Sequence, residues 1–156
     1  MTPGVEQARA AGIRHQIHSY AHDPASAAYG LEAAERLGLL PARVFKTLVV
    51  ELDTRRLVVA VIPVACSLDM KRLARAAGAK KAAMADKAEV MRCTGYVLGG
   101  VSPLGQKKRL PTYVDASACG FDTIYVSAGR RGLEIELAAD DLCALTGADY
   151  AEICAG

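Results

Sequence analysis

The sequence predicts an α+β fold: a mixed β-sheet flanked by short helices, spanning residues 1–156 as one domain. Three observations predict it. Two β-branched runs, residues 44–52 and 56–62, stand on either side of a tight turn at Asp53–Arg55. Short helical segments closed by glycines are interspersed with strands. Finally, the segment Gly99–Pro111, GGVSPLGQKKRLP, fits neither helix nor ordinary strand. Strands in consecutive hairpins, mixed with four or five short helices, argue against a doubly wound parallel sheet.

Thr2 before Pro3 predicts a capped helix over residues 3–11, closed by Gly12. Ile13, His15, Ile17 and Ser19 then alternate with Arg14, Gln16, His18 and Tyr20, a strand that ends at the His22-Asp23-Pro24 turn. From Ala27 to Leu37 apolar residues recur at helical spacing opposite Glu32, Glu35 and Arg36, and Gly38 terminates that helix. Pro41 opens a turn into the strand Val44–Leu52. Lys46 is the anomaly there: at period two it shares a face with Val44, Leu48 and Val50. Its ammonium either snorkels to an edge or lines a pocket cut into the apolar layer.

The second strand stops at Pro63, and Ser67 is expected to cap a helix with Asp69 in its first turn and Gly78 at its end. A short strand follows from Ala79, and the Asp86/Glu89 capping-box spacing starts a brief helix to Arg92. Tyr96–Leu98 is expected to be the strand that delivers the chain into the glycine segment. Beyond Pro111, Thr112–Asp115 and Thr123–Ser127 are strands around a turn or short helix at Cys119 and Gly120. Ala128–Gly132 reads as a hairpin turn that returns through Leu133–Leu137, with Ile135 inward. Asp140 is expected to cap a last helix ending at Gly147, and Tyr150–Ile153 to form a weak strand.

Composition narrows the function. Hydrophobic residues make up 52% and charged residues 23%, ordinary for a soluble globular protein. A net charge of +2 is too small to attract a polyanion over the whole surface. Contact with nucleic acid must therefore be local, through Lys107–Arg109, Arg130 and Arg131, or Lys80 and Lys81. The N-terminal stretch lacks the apolar core of a signal peptide, and no run approaches the roughly eighteen apolar residues that span a bilayer. A cytoplasmic protein away from membranes is expected, its five cysteines reduced because they form no CxxC pair.

The chemistry is sparse. His15, His18 and His22 make a poor metal set, so neither metal nor cofactor is expected. There is no GxSxG elbow, no recognisable His-and-Asp pair for a serine, and no close carboxylate pair. An enzyme built on this chain works without a familiar side-chain nucleophile, which still permits cleavage of an already activated ester.

The glycine segment is the candidate for such work. Its backbone amides, with Lys107, Lys108 and Arg109 beside them, suggest an anionic ligand such as phosphate. Gly100 and Gly105 stand at P-loop spacing, but Gln106 replaces the lysine, Lys107 the Ser or Thr, and Pro111 cuts off the helix. A plain glycine-rich surface loop with a solvated charge run is the alternative.

Taken with the VFKTLVV strand holding Lys46, the MADKAEV segment from Met84, the TGYVLGG approach and YVSAGRRGLEIELA from Tyr125, the loop GGVSPLGQKKRLPT is distinctive. These motifs, in this order from about Thr2 to Ala151, closely resemble the YbaK family of bacterial cysteinyl-tRNA(Pro) deacylases. Its members are free-standing relatives of the editing domain inserted in bacterial prolyl-tRNA synthetases. The resemblance implies a mixed sheet curling towards a barrel. It also implies trans-editing: cleavage, without metal or cofactor, of the ester that mischarged cysteine makes with the tRNA 3′ end, the substrate's own thiol attacking to release a cyclic thiolactone. The tRNA, and with it prolyl-tRNA synthetase, are the implied partners.

Family members use a lysine, a tyrosine, a loop glycine and a serine that match Lys46, Tyr20, Gly99 and Ser127. The family's acidic position, usually Asp, is Glu134, and the aromatic position usually filled by Phe is Tyr29. Lys46 would then hold the terminal adenosine phosphate or ribose, Gly99 and Gly100 amides the developing oxyanion, and Ser127 and Tyr20 the amino acid. Ser102, Gly105, Lys107, Lys108 and Arg109 complete the expected substrate contacts. The cations either carry the acceptor end or brace the loop with Gln106. A catalytically silent module that binds tRNA or the synthetase on the same fold is the competing reading.

Overall fold

The dense β-branched runs in residues 45–63 become the centre of the molecule: the antiparallel pair β2 (Phe45–Leu52) and β3 (Leu57–Pro63). Val49, Val50, Val58, Val59, Ala60, Val61 and Ile62 are all at most 2% exposed. Each Val or Ile so buried contributes about 1.5–3 kcal/mol of transfer free energy. The computed structural model describes residues 1–25 and 29–155, with no side-chain description at Tyr29. The expected Tyr29 contact, and the start of the helix expected from Ala27, therefore lie outside the described residues.

In chain order the remaining elements are α1 (Pro3–Ala11), β1 (His15–Ser19), α2 (Tyr29–Leu37), α3 (Met70–Ala76), β4 (Ala82–Met84) and α4 (Lys87–Thr94). These are followed by β5 (Thr112–Asp115), β6 (Ile124–Arg130), β7 (Leu133–Leu137), α5 (Ala139–Thr146) and β8 (Asp149–Ala151). The strands form two sheets, β1-β7-β6 and β4-β2-β3-β5-β8. Pairing is antiparallel except at β3-β5 and β5-β8, so the larger sheet is mixed, as expected of an α+β fold. One isolated parallel bridge, Val44 to Tyr125, ties the sheets together. The implied curl towards a barrel has no closed sheet behind it among the described residues.

The predicted stops act as expected where glycine is left-handed. Gly12, Gly38 and Gly147 each have φ near +70° just past a helix. Thr2 caps α1 by accepting from the Val5 amide at 3.2 Å. Among the described residues no helix is long and apolar enough to cross a membrane.

Four local expectations are corrected. Residues 67–69 do not begin a helix at Ser67, because they pair with residues 153–155: Asp69 N–H donates to Ile153 O and Ala155 N–H to Ser67 O. Asp69 becomes the N-cap instead, accepting from Arg72 N. Tyr96–Leu98 is not a strand; α4 runs on to Thr94, Gly95 terminates it, and Tyr96 turns inward to donate its hydroxyl to Leu104 O at 2.6 Å. β6 continues to Arg130 through a bulge after Ser127, which reduces the hairpin turn to Arg131 and Gly132. Asp140 lies inside α5 and accepts from the Tyr150 hydroxyl, while Ala138 holds the cap position.

Asp115 shows how segment 153–154 is held. Only 5% exposed, its carboxylate accepts from Ser117 N at 3.1 Å, Ile153 N at 3.0 Å and Cys154 N at 3.2 Å. Burial works against its charge, but these hydrogen bonds outweigh burial and hold its carboxyl below the ordinary range. A lowered acid stabilises the fold above the ordinary carboxyl range, and that stability is lost as pH falls through it. Asp115→Ala is expected to cost about 2–3 kcal/mol at pH 7, read from the urea midpoint, and to shrink the loss of stability below pH ~4.

Candidate active site between the two sheets

β4 covers only Val50–Leu52 of β2. Among the described residues the outer edge of Phe45–Leu48 therefore has no strand partner beyond the Val44 bridge, and a cavity of about 370 Å³ opens along it. An unpaired edge also explains why consecutive residues, Phe45, Lys46, Thr47 and Leu48, all line the cavity although their side chains alternate. Lys46 therefore sits half-buried in a pocket wall, the second of the two alternatives its strand position left open. The opposite wall comes from the smaller sheet. Ser127 on β6 is paired directly with Glu134 on β7, and Tyr20 follows β1, whose His18 is the other partner of Glu134.

Tyr20, Lys46, Gly99, Ser127 and Glu134, distant in sequence, thus meet around one chamber. α2 supplies its rim with Gly30 and the half-exposed Leu31. Gly30 is required there: a Cβ on it would lie 2.3 Å from Val64 Cγ1. Glu32, 5% exposed, accepts from Asp23 N at 2.7 Å and lies 3.7 Å from the Arg131 guanidinium, which donates to Asp23 O; this clasp fastens the segment after Tyr20.

Gly99 and Gly100 divide the work assigned to them. Gly100 N–H donates to Val97 O at 3.0 Å, and Gly99 has φ +90°, the third position of a type II-like turn. The Gly100 amide is therefore consumed by the turn and cannot hold an oxyanion. Its lack of a side chain serves packing, since a Cβ would lie 2.7 Å from Arg130 Cα. Gly99 lines the cavity, and among the described residues its amide has no acceptor.

The rest of the loop is an internal plug. Val101, Ser102, Pro103 and Leu104 are buried. Ser102 is wholly buried, its hydroxyl accepting from Leu104 N, and so stands in the loop's scaffold, out of reach of substrate. Gly105 gives its amide to Gln7 Oε1 at 2.8 Å, and a Cβ there would lie 2.4 Å from the Pro3 carbonyl carbon. Lys107 and Lys108 amides donate to Thr94 O and Cys93 O. Among the described residues five of the loop amides, those of Gly100, Leu104, Gly105, Lys107 and Lys108, are thus engaged by protein carbonyls and side chains, and the Gly99 amide is not. The side chains of Lys107, Lys108 and Arg109 are exposed and lie outside the chamber; Lys108 and Arg109 border a second, smaller concavity of about 240 Å³ with Gln7 and Thr146.

Two features of the chamber escaped the sequence reading. Thr47 Oγ1 is buried with no hydrogen-bond partner among the described residues, in a cavity wall. Period-two reasoning placed Thr47 on the face opposite Lys46, and only the missing edge partner brings both to one space. The second is protonation. Glu134 is 6% exposed, and burial raises its carboxyl to about 8. At neutral pH it is a neutral acid that can donate a hydrogen bond. Tyr20's phenol is also raised, by burial first and then by the charges of Glu134 and Glu32. Ser127 Oγ accepts from Gly129 N at 3.2 Å, leaving its hydroxyl proton to donate.

A family model described as "Aminoacyl-tRNA editing domain" matches residues 23–145. A protein of Enterococcus faecalis (strain ATCC 700802 / V583) named "Putative Cys-tRNA(Pro)/Cys-tRNA(Cys) deacylase EbsC" is 47% identical over 120 residues, covering 77% of this chain and 73% of its own length. "Uncharacterized protein YwhH" of Bacillus subtilis (strain 168) is 31% identical over 111 residues, covering 71% and 70%. A crystal structure of "a putative trans-editing enzyme for prolyl tRNA synthetase" matches with a TM-score of 0.83 and 25% identity, over 100% of this chain and 99% of that one.

A buried acid raised from 4.5 to about 8 destabilises the fold over that interval, because the unfolded chain releases its proton first. Stability from this group is full below pH ~4.5 and declines by about 1.4 kcal/mol per pH unit up to ~8. Glu134→Gln is expected to flatten that slope and to leave the variant more stable than the parent at pH 8, as measured by urea unfolding across pH 4–9.

Proposed function

Since this chain belongs to the aminoacyl-tRNA editing domain family, we propose that it is a trans-acting aminoacyl-tRNA deacylase that removes cysteine mischarged onto tRNA(Pro). Cysteine on tRNA(Cys) is a second substrate of the same ester chemistry. The observation that carries the reading is the chamber that gathers Tyr20, Lys46, Gly99, Ser127 and Glu134 beside an unpaired strand edge. Among the described residues it offers a single cation, neutral donors and the unoccupied Gly99 amide, and no side chain there is built as a nucleophile. One editing domain over residues 1–156, working in the cytoplasm beside a prolyl-tRNA synthetase, completes the proposal; the likeness to a structure described as trans-editing for that synthetase supports it.

In this mechanism the charged 3′ end enters past Leu31 and Leu98, and Lys46 holds the terminal phosphate or ribose as a point charge. The Gly99 amide faces the ester oxygen as negative charge develops, a donor worth on the order of a hundredfold in rate. Ser127, Tyr20 and the neutral Glu134 orient the amino acid, and Thr47 Oγ1 gains the partner it lacks. The substrate's thiol sulfur attacks the carbonyl, the bond to the ribose 3′ oxygen breaks, and the thiol proton passes to that oxygen. The products are a cyclic thiolactone and tRNA with a free hydroxyl. Lys107, Lys108 and Arg109 stand outside the chamber and contact the tRNA body.

Purified protein is expected to free the label from Cys-tRNA(Pro) carrying labelled cysteine, as the thiolactone or the cysteine it hydrolyses to, and Lys46→Ala to lower that rate at least a hundredfold without changing thermal stability. No release above buffer would leave the silent binding module as the reading. Replacing Lys107, Lys108 and Arg109 together by alanine is expected to reduce the slope of log affinity for tRNA against log salt by roughly 2–3, with the rate at saturating tRNA little changed.

A further inference from the structure

Five cysteines stand in the sequence, and two of them meet away from the chamber. Cys66 follows the end of β3, in a turn closed by its own amide donating to Pro63 O. Cys154 lies about 90 residues later, on the segment that runs antiparallel to residues 67–69 through the Leu68–Cys154 bridge. That register places Cys66 and Cys154 on the same side of the short ladder, diagonally apart. The Cys154 thiol is raised by burial first and then by the neighbouring Cys66 side chain. Both are half-buried, whereas Cys93 is buried. The backbone on the Cys154 side is held fast: its N–H donates to Asp115, and its carbonyl accepts from Arg72 Nη1 at 3.1 Å. The Cys66 side is a turn and bend over residues 64–66, the side of the pair that moves to bring the sulfurs to bonding distance.

We propose that Cys66 and Cys154 are a thiol–disulfide modification site, oxidised to a reversible intrachain disulfide by low-molecular-weight disulfides. The Cys66 sulfur attacks one sulfur of the external disulfide and expels a first small thiolate. The Cys154 sulfur, giving its proton to solvent, then attacks the Cys66 sulfur and expels the second. Two protein thiols are oxidised and one external disulfide is reduced to two small thiols. Cys154 keeps its proton longer than an ordinary thiol, held by burial first, then by the neighbouring Cys66 side chain and the charge of Asp115. The second step therefore quickens as pH rises. The bond closes a loop of about 90 residues and fastens segment 149–155 to the turn that follows Val64 in the chamber wall. This inference is independent of the deacylase reading.

The test incubates the full chain with oxidised glutathione at pH 8.5, blocks remaining thiols with N-ethylmaleimide and measures intact mass and tryptic peptides. The expected product carries two fewer maleimide groups than the reduced protein and no glutathione, has lost about 2 Da, and yields a linked Cys66–Cys154 peptide pair. Its melting temperature rises by about 5 °C or more and returns on reduction. Cys154→Ser is expected to retain glutathione on Cys66, because the second attack is gone. Five alkylated cysteines after oxidation, a Cys119–Cys143 bond, or a disulfide between two chains would each overturn the proposal, and the mass of the unmutated protein decides this without any variant.

Discussion

The chamber depends on one shortfall in strand pairing. β2 is sealed along one edge by β3 over its whole length, but on the other edge β4 reaches only from Leu52 to Val50. Had β4 continued, its backbone would fill the space beside Lys46 and Thr47 that the cavity now takes. A strand in a sheet normally has every amide and carbonyl paired, because an unpaired buried group costs about 1–3 kcal/mol. Here the unpaired stretch borders a cavity, and a ligand can supply what the missing strand does not. Lys46 fits the same logic: a cation among buried aliphatics is tolerable where the unpaired edge opens a pocket for it to line.

The glycine loop closes the other side by steric means. Gly100 and Gly105 let the backbone lie against β6 and the start of α1 at distances a side chain would forbid. Buried residues 101–104 and the hydroxyl of Tyr96 anchor it from beneath. The loop is rigid for the same reason that it has few free donors: its amides are spent on holding its own shape. Beside them, the exposed cations lie over the carbonyl end of α4, where positive charge is favoured by the helix dipole. One segment thus carries an inner, shape-bearing half and an outer, charged half.

Much of this was legible in the sequence because it was local. The β-branched runs over residues 44–62, glycines after helices and the loop's refusal of regular structure all act within a few residues. Tyr20, Lys46, Gly99, Ser127 and Glu134 could be named together through likeness to a family, and the structure brings them to one chamber. What could not be read depends on contacts far along the chain. Ser67 lost its cap because residues 153–155 claimed its neighbourhood, and Tyr96 left its strand because Leu104 O needed a donor. Gly100 looked like an anion donor until Val97 O took its amide. The sequence names Glu134 as the acidic position but not its protonation; burial between β1 and β6 makes it a neutral acid.

The contact between Gly30 and Val64 leaves no slack between α2 and the end of β3. A helix seated backbone-on-methyl cannot move inward, and any larger residue at position 30 would lift it off the sheet. The width of the chamber is therefore gauged by the branch at residue 64. Exchanging that single aliphatic for a smaller or longer one would resize the space while every hydrogen-bonding group stayed where it is, which makes selectivity for cargo size adjustable separately from the chemistry of cleavage.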